Sequence, residues 1–124
     1  MMKFLWTAIY VKNLDESIAF YSDLAGLKVL RRFQAGPGTE IALMGNAKDG
    51  ETLVELLADS SHTDISIGES ISIGFAVGSI GEMLDTVKSR FIPVHSGPVE
   101  TPRSIFFYVK DPNGVIVQFN QQKA

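Results

Sequence analysis

The sequence predicts an α+β fold of two tandem βαβββ modules that form a half-open, mostly antiparallel β-barrel around a cavity. Three observations carry this reading. One strand–helix opening occurs twice. Each copy is followed by three segments of strand character. The connections within each hairpin are too short for parallel crossovers, and a sheet with one helix on one face leaves its other face in need of a partner.

The first opening runs from Trp6 to Glu16 and the second from Ser72 to Glu82, 66 positions later. Each reads as a short strand and then a helix with a capping box. Asn13 and Ser79 are placed to accept from the third helical N–H. Glu16 and Glu82, three residues on, are placed to bond back. A duplicated unit is an architectural signal. It predicts that residues at equivalent positions face each other across a shared site.

The elements follow in order. Leu14, Ile18, Tyr21 and Ala25 recur at helical spacing, with Phe20 and Leu24 beside them. Gly26 ends this helix as a C-terminal cap. Leu27 to Phe33 reads as a strand, Gln34 to Gly38 as a turn, Glu40 to Met44 as a strand and Gly45 to Gly50 as a polar turn. Thr52 to Ala58 is the next strand, apolar on both sides of Glu55. The stretch that follows is small, polar and aperiodic, and reads as a linker. Ile71 to Val77 opens the second module as a strand. Ile80, Met83, Leu84 and Val87 mark its helix. Phe91 to Val94 reads as a short strand and Ser96 to Pro102 as a Pro-rich connection. Ile105 to Lys110 and Val115 to Asn120 are joined by Asp111-Pro112-Asn113-Gly114, a turn whose Pro and Gly supply the required backbone angles. The chain is expected to form a single domain, with module 1 over about 1–59, a linker over about 60–69 and module 2 over about 70–124.

Composition narrows the function. The 124 residues are 45% apolar and 20% charged, ordinary for a soluble globular chain. A net charge of −3 leaves no basic surplus for phosphates, so no nucleic-acid partner is expected. The chain has no cysteine, which excludes disulfides, zinc–thiolate sites and thiol nucleophiles. Lys3 precedes an apolar run from Phe4 to Val11. That run is short, lacks a small-residue cleavage site and flows into a capped helix, so it reads as a buried strand rather than a signal peptide. No stretch has the length of a membrane span. No membrane partner and a cytoplasmic location are the expectations.

Three segments carry a family resemblance. The first runs from Val11 to Tyr21 and closes on Leu24-Ala25-Gly26-Leu27. The second is Val54-Glu55-Leu56. The third is Tyr108-Val109-Lys110-Asp111-Pro112-Asn113-Gly114, continuing to Phe119. In combination they resemble the vicinal oxygen chelate superfamily, which includes glyoxalase I, bleomycin-resistance proteins and extradiol dioxygenases. Metal-dependent members hold an ion with a His (sometimes Gln) on the first strand, a Glu on the fourth, a His on the fifth and a Glu on the eighth. Position by position, the resemblance puts these on Trp6, Glu55, Ser72 and Gln118. Only Glu55 keeps the family's residue. Trp cannot coordinate, and Ser and Gln are weak neutral donors. The expectation is no bound cofactor, with a loosely held divalent metal as the alternative.

Strand alternation supports the mapping from the residues themselves. Ile9, Val11, Val54, Leu56, Phe75, Val77, Val117 and Phe119 read as the helix-side set. Trp6, Tyr10, Glu55, Ser72 and Gln118 then fall on the opposite, cavity-facing side. These five are the candidate ligand-binding residues. His62 in the linker and His95 between Pro93 and Pro98 read as surface residues without ligand spacing. Arg103 reads as a solvated strand-edge residue. The Gly36-Pro37-Gly38 turn lacks the Gly-Lys-Ser/Thr of a phosphate cradle.

The resemblance implies a glyoxalase/bleomycin-resistance-like protein with a degenerate metal site, binding a small molecule in the cavity. The alternative it implies is a lyase or isomerase of the glyoxalase I (lactoylglutathione lyase) type, or a dioxygenase-like enzyme. In an enzyme, Glu55 is the candidate general base. A third reading makes Trp6 and Glu55 core residues of an inactive domain. A carboxylate inside an apolar strand argues against it. A homodimer is expected, because sheet edges and an apolar face are left uncovered. The modules pair either within one chain or by exchange between two.

Overall fold

In the computed structural model, residues 1–124 are described apart from Ala47. The strands form two four-stranded sheets, one in each of two compact units, Met1–Ser66 and Ile67–Ala124. Each unit runs strand, helix, three strands, as the repeat predicts.

The first unit comprises β1 (Thr7–Tyr10), α1 (Leu14–Ala19) with a π-helical turn over Phe20–Leu24, β2 (Lys28–Gln34), β3 (Thr39–Gly45) and β4 (Thr52–Asp59). The sheet order is β1-β4-β3-β2, with β1 and β4 parallel and the other pairs antiparallel. Alternate residues sort by face. Ile9, Val11, Ala42, Met44, Val54 and Leu56 are buried, and α1 packs on β3 and β4. The side chain of Asn13 accepts from Glu16 N at 2.9 Å, as a capping residue should. The expected single helix is interrupted. Ala25 N–H reaches back five residues to Phe20 O, at 3.3 Å. The wider turn lets the adjacent Phe20 and Tyr21 both enter the core. Gly26 takes the left-handed conformation, φ +77, that ends the helix. The next strand starts one residue later than expected. Leu27 is buried just ahead of it, and the register shifts between Val29 and Arg31. The expected turn over 45–50 includes Ala47, which lies outside the described residues.

The second unit comprises β5 (Ser72–Ala76), α2 (Ile80–Ser89), β6 (Ser96–Glu100), β7 (Ser104–Lys110) and β8 (Ile116–Gln122). Its order, β5-β8-β7-β6, repeats the first, again with the outer parallel pair β5–β8. Ser79 caps α2 by accepting from Glu82 N at 3.2 Å.

One expected strand is misplaced. Phe91 to Val94 forms no strand, and the strand lies instead on Ser96–Glu100, inside the expected Pro-rich connection. The reason is the end of α2. Phe91 N–H donates to Lys88 O at 3.1 Å and Ile92 N–H to Val87 O at 2.9 Å. This is a Schellman closure, with Phe91 at the left-handed position, φ 58. The apolar residues that mimicked a strand are therefore spent on stopping a helix. Pro98 is tolerated in β6 because this is an edge strand, paired with β7 alone, where one missing N–H breaks no second ladder. Its register shifts between Ser96 and Val99.

The β7–β8 turn is built as predicted, with one residue more. The carboxylate of Asp111 accepts from Asn113 N and Val115 N, both at 2.8 Å, and Gly114 has φ 95. Lys110 pairs with Ile116, so Val115 belongs to the loop. Residues 60–69 contain no helix or strand, only an isolated bridge between Asp59 and His62. Among the described residues no helix is long and apolar enough to cross a membrane.

Candidate functional site

In the first unit, the face opposite α1 carries the predicted residues. Ala8 is the register partner of Glu55, and Tyr10 that of Leu57. Val54 and Leu56 are buried under the helix side, so Leu53, Glu55 and Leu57 project the other way. Trp6 lies one residue before β1 and leans over this face. Its indole N–H donates to Glu55 Oε1 at 3.2 Å. Trp6 and Glu55 are both half-buried. The donor is neutral, so the bond satisfies one oxygen without supplying a counter-charge. Among the described residues no donor reaches Oε2.

Tyr10 completes this face with a partner the sequence did not reveal. Its ring stacks on His62, with centroids 4.2 Å apart and planes 27° from parallel. His62 is exposed, as expected of a linker residue, but its place is defined. Asp59 accepts from Ser61 N at 2.9 Å and from Ser61 Oγ at 2.8 Å. His62 N–H then donates to Asp59 O at 2.9 Å. These bonds to Ser61, with His62 nearby, hold the Asp59 carboxyl below the usual carboxylate range. The turn folds the chain back so that the imidazole meets Tyr10.

In the second unit, Val117 and Phe119 are buried, and Gln118 and Asn120 project from the opposite side of β8. Gln118 lies between Gly74 on β5 and Tyr108 on β7. A Cβ at Gly74 would come within 3.3 Å of Gln118 Oε1, so the glycine leaves room for the amide. Gln118 Nε2 donates to the Tyr108 hydroxyl at 3.0 Å. Asn120 Nδ2 donates to Gln118 Oε1 at 3.4 Å, and Gln122 Nε2 to Asn120 Oδ1 at 2.6 Å. Three amides on one face of β8 thus form a ladder ending on a phenol. Ser72 is exposed and is registered against Ile116, two residues from Gln118's partner on β5. Trp6 stands in the same relation to Ala8, the partner of Glu55, so the internal repeat extends to the site positions.

The remaining candidates stay peripheral. His95 Nε2 is 3.2 Å from Glu69 Oε1, and Lys110 Nζ is 3.3 Å from the same oxygen. Arg103 is exposed. A hollow of about 370 Å³, whose lining includes Lys12, Gln34, Glu40 and Asp59, takes in none of the predicted site residues.

The donor set does not fit a divalent ion of the glyoxalase type. At the four mapped positions one side chain is a carboxylate, and Trp6 already donates to one of its oxygens. The amide oxygen of Gln118 accepts from Asn120, and Ser72 offers only a neutral hydroxyl. Among the described residues no group of three or more His, Asp or Glu side chains is placed to hold a metal.

Tyr108 and His62 are neighbours of the candidate residues that sequence reasoning did not pair with them. For Tyr108 the signal was one residue off. Pairing Lys110 with Val115 across a four-residue turn sets Tyr108 opposite Val117, and the observed five-residue loop sets it opposite Gln118. For His62 nothing local pointed to Tyr10.

Comparison with known proteins accords with this geometry. A family model described as the Glyoxalase/Bleomycin resistance protein/Dioxygenase superfamily matches residues 3–119. The lactoylglutathione lyase of Neisseria meningitidis serogroup A is 28% identical over 99% of this chain and 93% of its own. Among solved structures, the trypanothione-dependent glyoxalase I of Leishmania major superposes with a TM-score of 0.80 at 25% identity, covering 98% of this chain and 87% of that one. A glyoxalase family protein from Bacillus cereus gives a TM-score of 0.84 at 18% identity over 100% and 96% of the two chains.

Proposed function

The chain belongs to the Glyoxalase/Bleomycin resistance protein/Dioxygenase superfamily, and on that premise we propose that it is a small-molecule-binding member that works without the family's metal. One observation carries the reading. The single carboxylate left at the mapped ligand positions is hydrogen-bonded by an indole standing at another of those positions. That pair suits a different task. Trp6 and Tyr10 offer flat apolar surface, and Oε2 of Glu55 offers an acceptor to a ligand N–H, O–H or cation. In the second unit, Ser72 and Gln118 are the neutral polar side chains at the corresponding positions. The protein acts as a cytoplasmic homodimer, without nucleic-acid or membrane partners.

Trp6 is the only tryptophan, so its fluorescence reports occupancy without a label. A screen of flat amines and amides read by Trp6 emission is expected to find stoichiometric binders. Glu55→Gln is expected to weaken them about tenfold, the scale of a lost hydrogen bond to a charged acceptor. Unchanged affinity in that variant would remove Glu55 from the ligand site.

The second reading is a lyase of the glyoxalase I type, and the full-length likeness to a lactoylglutathione lyase favours it. Glu55 would then be the general base. Formation of S-lactoylglutathione from the hemithioacetal of methylglyoxal and glutathione, lost in Glu55→Gln, would replace the binding reading with this one.

A further inference from the structure

We propose that Tyr108 is a ligand-binding hydroxyl that takes a carboxylate or carbonyl oxygen, and that the amide ladder of β8 sets its donor state. The inference rests on the binding reading above and names a chemical group that the second unit can bind.

The argument is one of hydrogen-bond counting. A phenol has one hydrogen to give. In the structure Gln118 Nε2 donates to the Tyr108 oxygen. Among the described residues nothing accepts the Tyr108 hydrogen. Tyr108 is half-buried on the face opposite the buried Phe107 and Val109. Phe106 meets its ring edge-on, with centroids 5.8 Å apart, which fixes where the hydroxyl points. A positioned hydroxyl that already accepts is left as a donor.

The ladder makes that polarity cooperative. Gln122 donates to Asn120, Asn120 to Gln118 and Gln118 to Tyr108. Turning Gln118 alone would set its NH2 against that of Asn120. Asn120 must then turn too, and Gln122 after it. The ladder therefore has two self-consistent orders. In the observed one the Tyr108 hydrogen is left for an acceptor outside the ladder. In the reverse one its hydrogen is spent on Gln118. A ligand oxygen at Tyr108 selects the first order, and a ligand donor selects the second. Gln118 is in this account a positioning residue, acting through Tyr108.

Two probes of one shape separate the groups. 2-Naphthoate presents an oxygen acceptor, and 2-naphthylmethylamine presents a cationic donor. Affinities for both are measured by isothermal titration calorimetry on the wild type, Tyr108→Phe and Gln118→Met. Tyr108→Phe is expected to weaken 2-naphthoate about tenfold, as for a lost hydrogen bond to a charged group, and to weaken 2-naphthylmethylamine by a smaller factor, because a donor reaches the phenol oxygen only after the whole ladder has reversed. Gln118→Met is expected to shift the ratio of the two affinities in the same direction by a smaller factor. An equal loss for both probes would make Tyr108 a packing residue and overturn the inference, as would unchanged naphthoate binding in Tyr108→Phe. A wild type that binds neither probe would overturn the binding reading itself.

Discussion

The two modules share a plan and differ in what they set on the same sheet face. In the first, β4 presents a carboxylate, and an indole from ahead of β1 bonds to it. In the second, β8 presents neutral amides that bond to one another and to a phenol. The register is equivalent, since Glu55 pairs with Ala8 as Gln118 pairs with Gly74. Duplication thus preserved backbone geometry and left the side chains free to diverge. The first module sets a charge on this face, and the second a chain of neutral hydrogen bonds.

The largest effect expected from this comparison comes from undoing the divergence. Trp6→His, Ser72→His and Gln118→Glu together restore the ligand types that the family resemblance puts at these positions beside Glu55. Elemental analysis of the triple variant after incubation with Zn²⁺ or Ni²⁺ is expected to show about one ion per chain. The change from wild type should be at least about 10³-fold in affinity, roughly 4 kcal/mol. Absence of stoichiometric uptake by a folded variant would break the position-by-position mapping.

A smaller effect separates the two β-hairpins. Asp111 is buried and accepts two backbone N–H bonds, whereas Asp49 lies in the exposed connection after β3 and accepts one, from Glu51 N at 2.9 Å. Asp111→Ala strands two buried donors and is expected to cost about 3 kcal/mol by urea unfolding. Asp49→Ala is expected to stay within about 0.5 kcal/mol, because water replaces the carboxylate. Similar costs would show that the tight turn of the second module is no more dependent on its side chain than the open one of the first.

The smallest concerns the helix ends. The first module puts Gly26 at the left-handed position, and the second puts Phe91 there, 93% exposed. Phe91→Gly relieves a strained φ and loses no packing. It is expected to stabilise by about 0.5–1 kcal/mol after the chain-entropy cost of glycine. Gly26→Ala has no steric neighbour and suffers only from its φ, so a loss of about 1 kcal/mol is expected. Opposite signs in the two variants are the measurement; matching signs would refute the equivalence of the two ends.

Much of this was legible in the residues. The repeat, both caps, Gly26 and the Asp111 turn are local signals, each made by a few neighbouring side chains. Period-two alternation placed Trp6, Tyr10 and Glu55 opposite the helix, because a strand cannot bury both neighbours of a core residue on one side. The errors arose where one apolar run had two uses. Phe91 to Val94 has strand composition, but the helix before it needed a stop, and strand character passed to a Gly-Pro segment that an edge tolerates.

By itself, the sequence determined the order of elements, the helix starts and the faces of the strands, since hydrophobic period and capping chemistry act within a few residues. Tertiary structure alone decided who meets whom across strands. One extra loop residue set Tyr108 on Gln118 rather than opposite Val117. A turn after β4 laid His62 on Tyr10, and Trp6, outside its strand, reached Glu55 from 49 positions away. Such contacts depend on register and chain reversal. Both are set by the packing of whole sheets rather than by the local pattern of any one segment.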